Sequence, residues 1–467
     1  MSDDSSSRIV AELRRWIAQA QPGAKLPSSR ALVAQYGASP VTVQKAIRSL
    51  AMLGEIETRP GVGTFVRKIP VARPSDYGWQ TGALASLGNR VPKLPAALQS
   101  ESNDVIALHS GYPDRELLPE RLVRSAFARI ARTDAVVGRP RAAGLPELQS
   151  WFAEELGAAT PAGITPPAAG DVVIHPGSQG GLSTVFRAVV GAGRTLLMES
   201  PTYWGAILAA ERAGVVVVPV PSGPSGPDSD GLARAFAETG ARAFYAQPNF
   251  ASPTGALWSR DLADRVLNIV RENAAFLIED DSAHDFAITA DPTPIAARDD
   301  TGHVVYVRSL AKTVSPAVRV AAVIARGPAH ERILADASVE SMYVSGVLQS
   351  VAIDVVTHPS WNTHLRNLRR NLHSRRDLLV DSLAEYAPQI HLDAIPRGGI
   401  NLWARLPDAS DLDRVVRESR SAGVIIGAGD DWFPAEATGK YLRLTYAGPN
   451  PSTFGDAAKT LGRIVGG

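Results

Sequence analysis

Lys312 stands out among the residues whose type and position could do chemistry. The chain has seven lysines, and Lys312 is the only one between residues 94 and 439. It follows an apolar run at 304–307 that is typical of a buried strand. Burial at a strand end disfavours the charged ammonium and lowers its pKa, so a nucleophilic, Schiff-base-forming amine is predicted. An ordinary surface lysine is the alternative. A penicillin-binding site built on Ser309-x-x-Lys312 is disfavoured, because the companion Ser-Asp-Asn and Lys-Thr-Gly motifs are missing.

The acidic run Glu279-Asp280-Asp281 is a second candidate, and it follows another apolar run at 275–278. A buried carboxylate at Asp280 can pair with a protonated pyridine nitrogen and keep the ring an electron sink. A metal site is the main alternative, because His284 and Asp285 are close in sequence. Their spacing matches no standard set of metal ligands, so the pairing with a pyridine is favoured and no metal is expected.

The segment from Pro176 to Gly181 predicts a phosphate site. It places Ser178 and Gln179 between glycines, after an apolar run at 172–174 and before a helical pattern at 182–190. A turn of this kind presents free N–H groups and the positive end of the helix dipole, which attract a single phosphate. The nucleotide-binding pattern G-x-x-x-x-G-K-[ST] is absent.

Short apolar runs alternate with longer segments throughout the chain after residue 104. The longer segments have room for helices or crossovers, so the order predicts an α/β domain with a mostly parallel sheet. Ligands of such sheets bind at the carboxyl ends of the strands, where the candidates above lie. The runs predicted as buried strands are 172–174, 195–198, 215–218, 243–245, 275–278, 304–307 and 321–324.

The first seventy residues differ from the rest in pattern and in charge. They hold ten Lys and Arg against five Asp and Glu, while the whole chain carries a net charge of +1. This asymmetry indicates an anionic partner, with chance as the alternative. The pattern predicts a helix at 5–20 capped by Ser7, a helix after Ser28-Ser29, a helix from Ser39-Pro40, and strands at 55–58 and 64–67. The third helix is apolar behind and polar and basic in front, so a winged helix with a recognition helix is predicted.

The literal residues of this domain resemble the GntR family of bacterial regulators. Residues 26–30 (Leu-Pro-Ser-Ser-Arg), 39–43 (Ser-Pro-Val-Thr-Val) and 59–66 carry the resemblance. It implies a winged helix-turn-helix that binds double-stranded operator DNA, with phosphate contacts that position the domain and base contacts that specify sequence. Pro40 stands where many relatives have an arginine, so one contact is expected to be missing. The DNA-binding candidates are Arg30, Ser39, Thr42, Gln44, Lys45, Arg48 and Gly61.

The larger part of the chain resembles fold-type I aminotransferases, which use pyridoxal 5′-phosphate (PLP). Together with the GntR-like domain, it resembles the MocR, or PdxR-like, subfamily of GntR regulators. The resemblance covers nearly the whole chain outside a linker. The motifs that carry it are Gly111-x-Pro113-Asp114, Gly144-Leu145-Pro146-Glu147-Leu148, Pro253-Thr254-Gly255, Glu279-Asp280-Asp281, Ser309-x-x-Lys312, Arg319 and Tyr441-Leu442-Arg443-Leu444.

The resemblance implies a role for each candidate in the larger domain. Lys312 forms the Schiff base with PLP, Asp280 pairs with the pyridine nitrogen and Tyr203 stacks on the ring. Arg443 holds an effector carboxylate, for which the planar guanidinium group is suited. The residues implied in phosphate binding are Ser178, Gln179, Ser309 and Arg319.

Three positions depart from the pattern of active aminotransferases. Ser252, kept as a cofactor-binding candidate, stands where relatives have an asparagine that bonds the cofactor phenol oxygen. Ser282 and Ala283 stand where a tyrosine is expected, and Arg139 replaces a tyrosine ahead of the Gly144 motif. These groups tune the Schiff base and its proton chemistry, so their loss favours a sensor with at most a residual transaminase half-reaction. An active aminotransferase with an added DNA-binding domain is the alternative.

Length and composition bound the remaining possibilities. A chain of 467 residues is expected to hold two or three domains, here a winged helix at 1–69, a linker at 70–103 with a short helix near 79–87, and an aminotransferase-like domain at 104–467. No cysteine, signal peptide or long apolar run is present, so a cytoplasmic protein without disulfides or membrane spans is expected. The resemblance implies a homodimer that senses PLP or a small amine or amino acid. The operator, the target genes, the effector and the direction of regulation are not specified.

Overall fold

The structure is a computed structural model that describes residues 2–67, 80, 105–448 and 450–467. The chain divides into two compact units, Met1–Pro92 and Lys93–Gly467. The linker at 70–103 and its expected helix lie outside the described residues, apart from Gln80. None of the described helices is both long and apolar enough to cross a membrane.

The smaller unit is built from three helices and a hairpin. The hydroxyl of Ser28 accepts a hydrogen bond from the Ala31 N–H, and the hydroxyl of Ser39 accepts one from the Thr42 N–H, both at 3.2 Å. These caps fix where the second and third helices begin. The elements are α1 (Ser2–Gln19), α2 (Ser29–Tyr36), α3 (Pro40–Met52), β1 (Ile56–Arg59) and β2 (Gly63–Val66).

The core of this unit confirms the predicted apolar faces. Leu13, Leu32, Val43 and Leu50 are buried against one another, together with the hairpin residue Ile56. β1 and β2 pair antiparallel to form the wing. The prediction that Ser7 caps the first helix is wrong, because α1 begins at Ser2.

The larger unit contains the remaining described elements. Its helices are α4 (Glu120–Ile130), α5 (Pro146–Ala158), α6 (Ser178–Val185), which continues as a π-helix (Phe186–Val190), α7 (Trp204–Arg212), α8 (Ser229–Thr239), α9 (Arg260–Glu272), α10 (Gly327–Ser341), α11 (Gly346–Val356), α12 (Trp361–Tyr386), α13 (Leu412–Ser421) and α14 (Phe454–Gly466). Its strands are β3 (Ile106–Ala107), β4 (Val172–His175), β5 (Thr195–Ser200), β6 (Val216–Gly223), β7 (Gly226–Pro227), β8 (Ala243–Ala246), β9 (Phe276–Asp280), β10 (Val304–Ser309), β11 (Ala321–Ile324), β12 (His391–Leu392), β13 (Asn401–Arg405), β14 (Val424–Ile425), β15 (Gly427–Ala428) and β16 (Tyr441–Thr445).

A mixed, mostly parallel sheet forms the centre of the larger unit. Its order is β4-β11-β10-β9-β8-β5-β6-β7 in the described part of the chain. The pairs from β10 through β6 are parallel, and β11 runs antiparallel to both of its neighbours. Each predicted strand is present. Val215 is buried as predicted, but the prediction of burial is wrong at Val216, which is 52% exposed, because β6 has only the two-residue β7 on its outer side.

A smaller antiparallel sheet with the order β12-β13-β16-β15 forms the C-terminal part of this unit. Leu372, Leu402, Leu444, Phe454 and Leu461 join α12 and α14 to this sheet in one buried cluster. This packing holds β16, which carries Arg443, beside the central sheet. The larger unit therefore has the large and small α/β parts expected of a fold-type I aminotransferase.

Candidate functional site

The candidate site lies at the carboxyl ends of β9 and β10. These strands are parallel neighbours, and Val307 of β10 pairs with Asp280, the last residue of β9. Lys312 follows β10 in a turn, and Asp280 is 1% exposed. Adjacent parallel strands end at the same edge of a sheet, which is why residues far apart in sequence meet here.

Asp280 has one satisfied oxygen and one unsatisfied oxygen. Its Oδ2 accepts hydrogen bonds from the Tyr245 hydroxyl and the Gln247 side-chain amide, both at 2.9 Å. Its Oδ1 is buried and has no hydrogen-bond partner among the described residues. Burial raises the pKa of Asp280, and the Tyr245 hydrogen bond, Lys312 and Gln247 oppose that rise. A protonated pyridine nitrogen supplies the donor and the charge that Oδ1 lacks, so this carboxylate fits PLP.

Lys312 lies in the same electrostatic environment. The pKa of Lys312 is lowered to about 8. Burial is the main cause, Arg443 and Arg319 act in the same direction, and Asp280 opposes them. The unprotonated amine, which condensation with an aldehyde requires, is therefore far more abundant near neutral pH than it is for an ordinary lysine.

The predicted phosphate site lies at the start of α6. Gly177 precedes the helix with φ = 86°, and a Cβ built there would lie 2.5 Å from Nη2 of Arg319. The first-turn N–H groups, beginning at Ser178, have no acceptor inside the helix. They and the Arg319 guanidinium, which also donates to the Tyr112 hydroxyl at 3.2 Å, converge on one place. α6 begins at Ser178, earlier than the predicted 182–190, because Gly177 alone makes the turn.

Gln179 and Ser309 have side chains that are already engaged within the protein. The Gln179 amide accepts a hydrogen bond from the Tyr203 hydroxyl at 3.1 Å and donates to the Gly205 carbonyl at 2.6 Å. The Ser309 hydroxyl accepts from the Ala311 N–H at 3.2 Å. Gln179 thus fixes the ring of Tyr203, whose burial raises its pKa and which interacts electrostatically with Asp280. Because the Gln179 side chain is engaged, only the backbone N–H of Gln179 can contribute to phosphate binding.

Arg443 is buried without a carboxylate partner. It is 3% exposed, its Nη1 donates to the carbonyls of His109 and Ser110 at 3.1 Å, and it lies 5.6 Å from the Trp432 ring. No ion pair joins it to a carboxylate within the described ranges, and its Nε is buried and unsatisfied. Burial lowers its pKa to about 10. A buried cation of this kind attracts an anionic ligand group.

Ser252 borders the site through its backbone. Its N–H donates to the Gln247 side-chain carbonyl at 2.9 Å, and a cis peptide bond joins it to Pro253. Gln247 therefore bridges Ser252 and Asp280. Lys312 interacts electrostatically with Asp280, Arg319 and Arg443, and Tyr203 interacts with the same three residues.

The sequence analysis missed three residues of the site: Tyr112, Tyr245 and Gln247. Tyr245 and Gln247 alternate along β8 and its end, with apolar neighbours, so they face the same side as Asp280. Polar residues at alternate positions of a buried strand were the available signal. Tyr112 lies inside the Gly111-x-Pro113-Asp114 motif, and nothing in its local pattern indicates a contact with Arg319 across 207 residues.

The carboxylates of Asp281 and Asp285, which follow Asp280 in sequence, have hydrogen-bond partners of their own. Asp281 Oδ2 accepts from the Tyr306 hydroxyl at 2.7 Å and lies 2.6 Å from His284 Nδ1. Asp285 accepts from Arg308 at 3.1 Å and from Thr313 at 2.9 Å. Thr313 adjoins Lys312, so this network holds the lysine turn in place.

The smaller unit exposes most of the DNA-binding candidates. Gln44, Lys45 and Arg48 are exposed on α3, and Arg30 is exposed near the start of α2. The wing tip is Gly61, with φ = 74°. The hydroxyls of Ser39 and Thr42 lie 2.8 Å apart at the start of α3. These two hydroxyls, which are predicted to contact DNA, are therefore already engaged in this hydrogen bond and in the helix cap.

Comparisons with known proteins agree with this architecture. Residues 103–461 match the family "Aminotransferase class I and II", and residues 5–66 match "Bacterial regulatory proteins, gntR family". The larger match implies PLP as the cofactor of that domain. Among solved structures, the α-aminoadipate aminotransferase LysN of Thermus thermophilus, complexed with N-(5′-phosphopyridoxyl)-L-leucine, superposes with a TM-score of 0.71 and 24% identity. The match covers 79% of this chain and 95% of that one, and it shows the fold.

Full-length relatives share both domains. The chain is 27% identical to a protein of Rhizobium meliloti named "Probable rhizopine catabolism regulatory protein MocR", over 94% of this chain and 88% of the relative. It is also 27% identical to the uncharacterized HTH-type transcriptional regulator YdfD of Bacillus subtilis, over 91% and 88%. The chain therefore belongs to the aminotransferase class I and II family and, with its gntR-family domain, to the MocR (PdxR-like) subfamily of GntR proteins.

Proposed function

We propose that this protein is a transcription regulator that binds operator DNA through its winged helix and senses PLP, or an amine or amino acid that reacts at the PLP site. One observation carries the proposal. Lys312 and the buried Asp280, which would hold PLP, lie at the ends of neighbouring strands. Ser252, and Ser282 with Ala283, stand where the aminotransferase pattern has the groups that tune turnover. Such a site retains its ligand better than it processes one.

The chain's own residues account for recognition of an effector. When bound, PLP supplies an aldehyde that condenses with primary amines. Lys312 supplies the protein amine, and an incoming amine competes with it for that carbon. Arg443 binds the carboxylate of an amino acid effector. Bound effector changes DNA affinity only if it favours one of two states of the protein, so the two states must differ in their affinity for it.

The winged helix supplies the DNA contact in this proposal. The exposed Arg30 and Arg48 neutralise phosphates, and Gln44 and Lys45 reach base edges in the major groove. A homodimer reads two half-sites related by its own symmetry. We therefore expect a dimer by light scattering and a repeated half-site in the bound DNA.

The test is capture of fragments of the source genome by the purified full-length protein, followed by titration of the enriched duplexes. We expect nanomolar binding, on the order of 10⁻⁸ M, that changes when PLP or the effector is added. Gln44→Ala and Lys45→Ala should weaken binding to the enriched sequence, and Arg48→Ala should reduce its dependence on salt. The matched control is Lys459→Ala, which removes a lysine from the other unit. Capture of no sequence above background would reject the proposal.

An active aminotransferase with an added DNA-binding domain is the second candidate. The presence of Lys312, Asp280 and Arg443 favours this second candidate, because an aminotransferase needs these groups to hold its cofactor and substrate just as a sensor does. The discriminating measurement is formation of keto acid from a panel of amino acids with an added acceptor. Steady turnover would reject a purely sensory role, whereas at most one equivalent of product per site supports it.

A further inference from the structure

A cavity of about 600 Å³ lies outside the residues assigned to PLP or DNA. It is bounded by the ends of β5 and β6 on one side and by β13 and β16 of the smaller sheet on the other. Neither Lys312, Asp280 nor Arg443 lines it. Its size is that of a pocket for a small organic molecule.

Aromatic rings form one wall of this cavity. Trp403 and Tyr441 are stacked with centroids 4.8 Å apart and an interplanar angle of 8°, and Phe433 lies 6.0 Å from Tyr441. Proline rings from the opposite side face this wall: Pro201, Pro221, Pro224 and Pro227. The surface suits an apolar body, and aromatic faces attract a cation through their negative quadrupole.

The charged residues of the lining are all acidic. Asp228 and Asp393 contribute carboxylates, and no Lys, Arg or His is among the lining residues in the described part of the chain. Asp228 caps α8 and lies 3.6 Å from Arg234, so it is largely committed. Asp393 is 39% exposed, and His391 approaches it to 3.8 Å. Arg405 also interacts electrostatically with Asp393, but its guanidinium is hydrogen-bonded to Asp408 at 3.0 Å. Asp393 is thus the less committed of the two carboxylates.

A chain of hydrogen bonds connects the cavity to the cofactor site. Ser222 lines the cavity, and its hydroxyl donates to the buried Glu199 at 2.8 Å. The other oxygen of Glu199 accepts from the Gln247 N–H at 2.9 Å. The side chain of Gln247 donates to Asp280 at 2.9 Å. A change at Ser222 therefore reaches the carboxylate that pairs with the pyridine nitrogen through two intervening residues.

We infer that this cavity is a second ligand site, for a small organic cation with an apolar body, and that its occupancy is transmitted through Ser222, Glu199 and Gln247 to Asp280. The ammonium lies against the aromatic wall and pairs with Asp393, and the body contacts the proline rings. The site is separate from the place where an amine reacts with PLP.

The binding test is a calorimetric titration of the PLP-loaded full-length protein with benzyltrimethylammonium chloride. This probe has no N–H group, so it cannot condense with the aldehyde of PLP, and the Asp393→Asn variant assigns its binding to the second site. We expect saturable binding that Asp393→Asn weakens about tenfold, and much weaker binding of the neutral benzyl alcohol. Asp291→Asn, which removes an exposed carboxylate elsewhere, should leave the affinity unchanged.

The transmission test follows the visible absorption of bound PLP against pH with and without the probe. We expect the probe to move the midpoint, and Ser222→Ala to keep calorimetric binding but lose that movement. Absence of saturable binding, or equal affinity in Asp393→Asn, would overturn the site. An undiminished movement in Ser222→Ala would overturn the transmission. None of these measurements uses DNA, so failure of the proposed regulatory function is distinguishable from failure here.

Discussion

The two sides of the candidate cofactor site differ in how far they keep the residues of the aminotransferase pattern. On the side proposed to meet the pyridine nitrogen, Asp280 is anchored by Tyr245 and Gln247 and ends a buried strand. On the side proposed to meet the phenol oxygen, the aminotransferase pattern has an asparagine and a tyrosine. This chain has Ser252 at the first position, and Ser282 and Ala283 where the tyrosine is expected. The first side belongs to the core of the sheet, and the second belongs to the loops beyond it.

This difference separates holding a cofactor from turning it over. A charged hydrogen bond to a buried carboxylate contributes affinity whatever the reaction does next. Groups at the phenol oxygen act on the proton chemistry, where correct placement changes rate. The protein keeps the part of the site that rigid strands can supply, and that part suffices for a sensor.

Lys312→Ala gives the largest expected effect, because it removes the covalent anchor on which both sides depend. We expect complete loss of the visible band of the PLP-loaded protein after dialysis. Absorption spectroscopy of the two proteins, with equal added PLP, measures this directly. Lys440→Ala, at an exposed lysine, is the control and should keep the band. A dialysis-resistant band in Lys312→Ala would mean that another amine carries the cofactor.

Asp280→Asn tests the pyridine side alone. The amide still fits the pocket but cannot balance the charge of a protonated pyridine, so we expect the dissociation constant of PLP to rise roughly ten- to hundredfold. Fluorescence titration of the cofactor-free protein with PLP provides the measurement. Asp291→Asn serves as the exposed control. Unchanged affinity would show that Oδ1 of Asp280 does not face the pyridine nitrogen.

The sequence predicts this part of the molecule well because local patterns determine it. Each predicted strand of the central sheet is present, and the strand end at Asp280 and the turn that carries Lys312 follow from apolar runs that stop at polar residues. The caps at Ser28 and Ser39 also follow from local chemistry. Parallel strands then bring those ends together without any further information from the sequence.

Partners that depend on tertiary contacts could not be predicted from the same patterns. Tyr245 resembles any buried strand residue until β8 is placed beside β9, where its hydroxyl meets Asp280. Gln179 fits a phosphate loop in sequence, yet its side chain is taken by Tyr203 and Gly205. The exposure of Val216 likewise depends on its position near the sheet edge.

Returning the missing asparagine and tyrosine to the phenol side of the site should increase the rate of the reaction with an amino acid. We expect Ser252→Asn combined with Ser282→Tyr to speed conversion of bound PLP by an amino acid about tenfold, because both changes return tuning groups to the reacting proton. Stopped-flow absorption after mixing with the amino acid measures the rate. Ser252→Ala combined with Ser282→Ala is the control and should not gain. An equal rate in wild type and the restored variant would show that the serines do not limit the reaction.

The smallest expected effect concerns the pH at which Lys312 captures PLP. Because burial lowers its pKa to about 8, the unprotonated amine should increase about tenfold per pH unit below that value and level off above it. The capture rate of the cofactor-free protein should show the same bend, whereas an ordinary lysine would keep gaining towards pH 10.5. Arg443 also lowers this pKa, so Arg443→Gln should move the bend to higher pH. Asp280 raises it, so Asp280→Asn should move the bend to lower pH. Absence of a shift in both variants would mean that burial alone sets the pKa, and that neither charged neighbour prepares the amine.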